Sequence, residues 1–123
     1  MRVLLSIKPE FVSRIFDGSK KYEFRKSLFK RRDVTTVVIY ASYPVKQVVG
    51  EFEIKAILSD DVDALWSRTC DHSGISKDYY DSYFEKRGTA NAIQIGKPKR
   101  YKTPKRLADI NVKQAPQSFC YIQ

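Results

Sequence analysis

The eight residues Gly18-Ser19-Lys20-Lys21-Tyr22-Glu23-Phe24-Arg25 hold two ammonium groups, one carboxylate and one guanidinium. Such groups bind anions and move protons: Lys and Arg donate to phosphate or carbonyl oxygens, and a carboxylate accepts a proton or a base amino group. Along an extended backbone side chains alternate, so Tyr22 and Phe24 fall on one face and Lys21, Glu23 and Arg25 on the other. Glu23 and Arg25 are then about 7 Å apart along the strand, and their tips can meet. Two readings stand side by side. In one they form a surface ion pair worth about 0 to 1 kcal/mol. In the other Glu23 holds Arg25 and a nearby lysine in place for an anionic or carbonyl-bearing ligand, and Lys20, at the turn before the strand, points into the same cleft. Lys21 either joins them or points outward.

The flanking elements must hold these groups in place. Val3 to Ile7 is a short apolar strand, and Pro9 to Asp17 is a helix with Pro at its first position and Phe11, Val12, Ile15 and Phe16 on one side. Gly18 suits a left-handed cap at its end. Lys8 sits at the strand-to-helix corner, either at the rim of a ligand site or simply solvated. Val34 to Ser42, dense in β-branched residues, predicts a central buried strand; Tyr40 and Ser42 share one face near its end and join the ligand-facing candidates. From Val48 to Ile57, Val48, Gly50, Phe52, Ile54 and Ala56 alternate with Glu51, Glu53 and Lys55, so one side faces core and the other water.

From Ser59 the composition turns to capping residues and a helical pattern, which predicts a helical insertion over about 59–87. Its second helix carries Tyr79, Tyr80, Tyr83 and Phe84 at helical spacing. Such a stripe docks a helix on a core more often than it stacks bases, and Asp78, Asp81 and Glu85 beside it repel phosphate. Thr89 to Ile95 returns to strand. The basic arm Gly96 to Arg106 is extended, and a last strand, Pro116 to Ile122, is expected to be mostly buried.

Bulk composition narrows the function classes. The chain of 123 residues has a net charge of +9, distributed as +7 over residues 1–50, −4 over 51–90 and +6 over 91–123. That asymmetry favours a polyanionic partner. Lys30, Arg31 and Arg32 in the connection after the motif, and Lys99, Arg100 and Lys102 in the arm, are the candidate phosphate contacts, with plain solvation as the alternative. Cys70, Cys120 and the single His72 supply at most three soft ligands, too few for a structural zinc, so no metal and no cofactor are expected. A Ser-His-Asp arrangement lacks a suitable base. No apolar run approaches the roughly 20 residues of a membrane span, and Met1 to Ile7 is too short for a signal peptide. The expectation is a soluble cytoplasmic chain forming one domain over 1–123.

The pattern Gly-x-Lys-x-x-Glu-x-Arg, carried by Gly18, Lys20, Glu23 and Arg25, resembles the signature of ASCH domains, small β-barrels similar to the PUA domains that bind RNA. The order of elements fits as well, and the resemblance covers essentially the whole chain. It implies an α+β fold, a small PUA-like mixed β-barrel with a short N-terminal helix and a helical insertion between barrel strands. It further implies a cleft lined by the motif, with RNA or a nucleotide-like ligand as partner. A relative in this superfamily is an amidohydrolase of acetylated cytidine that uses the motif lysine and a threonine, and other ASCH proteins have been linked to RNA cleavage. By that resemblance Lys20 would be the catalytic amine if the chain is an enzyme. The threonine's place, three residues on, is taken by Glu23, which would serve as a general base instead. The leading expectation is a nucleic-acid-binding module, and the alternative is a small hydrolase.

Overall fold

A computed structural model describes residues 1–123. Six strands form one mixed sheet: β1 (Arg2–Ile7), β2 (Tyr22–Arg25), β3 (Thr36–Ala41), β4 (Gln47–Asp61), β5 (Thr89–Lys105) and β6 (Phe119–Ile122), in the order β2-β5-β4-β3-β1-β6. Only β1 and β3 run parallel; every other pairing is antiparallel. Helix α1 (Pro9–Asp17) follows β1, and helices α2 (Val62–Thr69) and α3 (Lys77–Tyr83) lie between β4 and β5. No helix is long and apolar enough to cross a membrane.

The β1 and β3 segments read as unbroken apolar runs because both faces of the sheet are covered there. On one face Val3, Leu5, Val37, Ile39 and Phe52 meet Val12 and Ile15 of α1. On the other, Leu4, Val38, Tyr40 and Val48 are covered by Leu107, Ile110 and Val112 from the segment after β5. The insertion makes a third apolar cluster: Leu65, Tyr80 and Phe84 close over Phe24 of β2 and over Ala90 and Ala92 of β5. Asp61 and Ser76 cap α2 and α3, their side chains accepting from the backbone N–H of Ala64 and Tyr79.

Three expectations change. The insertion begins at Val62 rather than near residue 59, because Ser59, Asp60 and Asp61 still pair with Asn91, Ala90 and Thr89 and only then does Asp61 cap α2. The basic arm is extended as expected, but up to Lys105 it continues the 17-residue strand β5 and pairs with β4. Its prolines are tolerated because the β4–β5 register shifts there: Lys99 faces Glu51 while Gly96 faces Glu53, and the next shift spans the stretch before Lys105. The last strand is half-buried, with Tyr121 37% exposed and only Ile122 in the core, since β6 pairs on one side alone, with β1.

The sheet curls until its two end strands are joined by side chains. Arg25 of β2 donates through Nη2 to the carbonyl of Ser118 at 2.9 Å, immediately before β6. The Tyr121 hydroxyl on β6 accepts from the backbone N–H groups of Lys30 and Arg31, in the connection after β2, at 3.0 and 3.1 Å. The barrel thus closes through side-chain bonds where no backbone ladder links the ends.

Close approach at Gly50 makes this packing testable. A methyl group there would press into the Lys99 carbonyl of β5 and the Phe16 ring of α1. Gly50→Ala should therefore destabilise by about 1 to 3 kcal/mol through overpacking, seen as a lower urea midpoint at unchanged slope. A variant as stable as the parent would show that β5 and α1 do not meet over Gly50.

Candidate functional site

The motif leaves α1 through Gly18 in a left-handed conformation (φ 88°), and the backbone N–H of Lys20 bonds back to Arg14. Lys21 is held by its N–H to the His72 carbonyl (2.8 Å) and by its carbonyl to the N–H of Ile95 (2.9 Å), so the turn is tied at once to the insertion and to β5. Lys20 is consequently 2% exposed. Its Nζ donates to the Ser73 carbonyl at 2.9 Å and lies 5.2 Å from the Phe11 ring centre and 5.0 Å from that of Phe24. The loop reaches Lys20 because Gly74 has φ +68° and no side chain; a Cβ there would collide with the lysine methylenes. Arg14 secures the same loop by donating to the Gly74 carbonyl at 2.8 Å.

Burial pushes the Lys20 amine from its ordinary 10.5 down to about 8; the Glu23 carboxylate pulls the other way and the Arg14 guanidinium adds to the lowering. Glu23 is 6% exposed and accepts from Arg25 Nη1 at 3.2 Å. Arg25 also meets the Ser118 carbonyl and hydroxyl, at 2.9 and 3.3 Å. The pair predicted from spacing is real, and it is buried rather than solvated.

These groups face a cleft of about 210 Å³ between the α1 end of β1, strand β2 and α3. Of the sequence candidates it brings together Lys8, Lys20, Glu23 and Arg25. Lys8 stands at the rim with its Nζ 5.1 Å from the Tyr79 ring. Lys21 lines a different cavity. Tyr40 points to the opposite face of the sheet, buried with Leu4, Val38 and Val48, because even-numbered residues of β3 face away from α1. Ser42 lies past the end of β3, its N–H bonded to Ile7, and lines neither cavity.

The candidate phosphate contacts lie outside the cleft. Lys30, Arg31 and Arg32 are exposed on the connection after β2, and Arg31 is engaged by Asp33 through two bonds of 3.0 and 2.8 Å. Lys99, Arg100 and Lys102 are exposed on β5, with the Arg100 guanidinium resting 4.3 Å from the centre of the Phe16 ring.

Sequence reasoning assigned the aromatic stripe of the insertion to docking, and the structure divides it. Tyr80 and Phe84 do dock, at 0 and 2% exposure. Tyr79 and Tyr83, one turn apart, stack with ring centres 6.3 Å apart and 12° between planes and form a wall of the cleft. Burial raises the Tyr83 hydroxyl pKa, with Arg25 opposing and Glu23 adding. Gln117, on the cleft wall, and Ser118, bonded to Arg25, were also missed. The i,i+4 spacing of the tyrosines was a usable signal; that of Gln117 and Ser118, more than 90 residues from the motif, was not.

A family model for the ASCH domain matches residues 5–99. A large ribosomal subunit protein uL22 of Ureaplasma parvum is 29% identical over 121 residues, and the chain spans 39% of that protein's length. An ASCH domain-containing ribonuclease of Zymomonas mobilis is 33% identical over 123 residues, covering 98% of this chain and 83% of that one. The crystal structure of ASCH from Zymomonas mobilis superposes with a TM-score of 0.90 at 32% identity over 99% of this chain and 87% of that one. The N-terminal domain of Staphylothermus marinus McrB shares the fold at a TM-score of 0.51 and 16% identity, over 89% of this chain and 78% of that one. With its motif in a buried cleft and a family match across most of its length, the chain belongs to the ASCH domain family.

Proposed function

We propose that this chain binds single-stranded RNA, with one nucleotide in the cleft. The observation that carries the reading is the convergence of Lys8, Lys20, Glu23 and Arg25 with the stacked rings of Tyr79 and Tyr83 in one concavity. Each part matches a need of such a ligand. Aromatic faces stack a splayed base, a buried carboxylate accepts from a base amino group, and Lys8 at the rim meets phosphate. The exposed basic residues of the β2–β3 connection and of β5 then hold flanking phosphates, which position without specifying.

A second reading makes the chain a ribonuclease. Two observations favour it: the Lys20 amine at about 8, a range in which it gives up a proton near neutral pH, and the ribonuclease designation of the Zymomonas relative. In this reading the ribose 2′-hydroxyl oxygen bonds to phosphorus as Glu23 takes its proton. The bond from phosphorus to the 5′-oxygen breaks, and Lys20 gives that oxygen a proton, leaving a 2′,3′-cyclic phosphate.

Anisotropy with labelled single-stranded RNA at two salt concentrations tests the binding. Affinity should fall with salt at a logarithmic slope of about −0.7 for each phosphate held. Glu23→Gln should change the preferred nucleotide and leave that slope in place, while neutralising Lys99, Arg100 and Lys102 should flatten it for all sequences. No binding at low salt removes the reading. Chromatography of RNA and of acetylated cytidine after incubation separates binding from catalysis. RNA turnover that is lost in Lys20→Ala and falls as pH rises through about 8 establishes the ribonuclease; no turnover of either substrate leaves the binding module.

The Lys20 environment also sets a stability profile. Its folded value lies below the unfolded one, so the folded state is penalised while the amine is protonated, and the penalty lifts as pH rises from about 8 towards 10.5. Across that window the parent should gain up to about 3 kcal/mol relative to Lys20→Met. Tyr80 and Tyr101, both raised to about 12, act in the parent and the variant alike and cancel in the comparison. Parallel urea-midpoint profiles for the two proteins would contradict a buried amine.

A further inference from the structure

Lys20 forms part of two cavities. Behind the cleft lies a larger one of about 450 Å³, walled by Lys20, Lys21, Lys55 and Lys97 with Glu53 and Gln94. Its character differs from that of the cleft. No aromatic ring lines it, whereas Phe11, Phe24, Tyr79 and Tyr83 line the cleft. Three exposed ammonium-bearing side chains, Lys21, Lys55 and Lys97, border it beside one carboxylate, that of Glu53, which meets only Lys97, at a distant 4.0 Å. Lys21, Lys55 and Lys97 are exposed and reached from solvent, while the Gln94 amide adds a neutral donor. A site that concentrates cations without a stacking surface selects charge, not a base.

We infer that this second cavity is a phosphate site. On the reading of the cleft given above, on which this part of the inference rests, it takes a phosphodiester group next to the nucleotide held in the cleft. Lys20 is the common wall, so a strand whose base stacks on Tyr79 and Tyr83 has its backbone led past the motif turn towards Lys21 and Lys55. Ammonium groups suit this role as compact point charges that tolerate several phosphate orientations. The motif turn would thus serve both cavities: Lys20 and the strand after it for the nucleotide, Lys21 for the backbone. It also accounts for Lys21, which the cleft leaves unused.

Two measurements test this on the intact chain. Titration with inorganic pyrophosphate, followed by amide NMR, should move the signals of Lys21, Lys55 and Gly96 and leave those of Tyr79 and Tyr83 in place. The variant with Lys21, Lys55 and Lys97 all changed to Gln should lose that response. It should also bind a single-stranded RNA oligomer roughly tenfold more weakly at low salt, with a salt slope shallower by about 0.7 for each phosphate no longer held, while its affinity for an unphosphorylated nucleoside is unchanged. A control with Lys46, Lys86 and Lys113 changed to Gln removes the same charge from exposed positions elsewhere. Equal weakening by the control, or no pyrophosphate response at the cavity, overturns the site. A cavity that takes pyrophosphate in a protein that binds no RNA overturns the reading of the cleft while supporting the phosphate site.

Discussion

The bridge that the Arg25 guanidinium makes across the closing seam of the sheet is the constraint on which the cleft depends. The ladder runs from β2 to β6 and leaves those ends without backbone pairing to each other. Arg25 bridges them, with Nη1 on Glu23 and Nη2 on the Ser118 carbonyl, in a seam where its side chain is 12% exposed and that of Glu23 7%. A planar fork with several donors can serve two acceptors in different directions at once, which an ammonium does less well. Because the pair is desolvated, the two members need each other: removing one partner of a buried ion pair typically costs about 3 to 5 kcal/mol. The carboxylate that gives the cleft its character is therefore also part of what holds the barrel shut, and Ser118 lies immediately before β6, which pairs with β1.

Lys20 shows the same coupling of site and scaffold. A nearly inaccessible ammonium is unfavourable, and the structure offsets this with a carbonyl acceptor and two aromatic faces rather than a direct ion pair. Most of these partners come from outside the motif: Ser73 from the insertion and Phe11 from α1, with Phe24 from the strand that the motif itself forms. The insertion thus does more than cover an apolar face. It supplies the Ser73 carbonyl that fixes the amine, the Gly74 that lets the loop approach, and the tyrosine wall on the far side.

The charge of the molecule is organised on two scales. Exposed pairs such as Lys77–Asp81 within the insertion and Arg68–Asp60 between it and β4 are individually worth little. Many basic residues of the flanking segments lie outside the cleft, on β5, on the connection after β2 and around the second cavity. In the proposed function their field draws in a polyanion, whereas the buried groups determine what is recognised on arrival.

By itself the sequence determined the local features: alternation at Tyr22 to Arg25, Pro9 and Gly18 bounding α1, capping-type residues leading into a helical insertion, and the motif whose match to the ASCH family holds. These are short-range consequences of backbone geometry and apolar period, legible without knowledge of neighbours. Tertiary structure alone decided the rest. Glu23 and Arg25 alternate like surface charges, and only the approach of residues 117 and 118 from near the chain end buries them. Tyr40 looked ligand-facing until the parity of β3 against α1 turned it to the other face. Adjacent tyrosines of α3 took opposite roles because about 100° of helical rotation per residue sends Tyr80 into the core and leaves Tyr79 on the cleft. Lys20 and Lys21 are neighbours in sequence, yet only Lys20 reaches the cleft, a separation made by bonds to Arg14, His72 and Ile95, the last two from distant parts of the chain that no local pattern encodes.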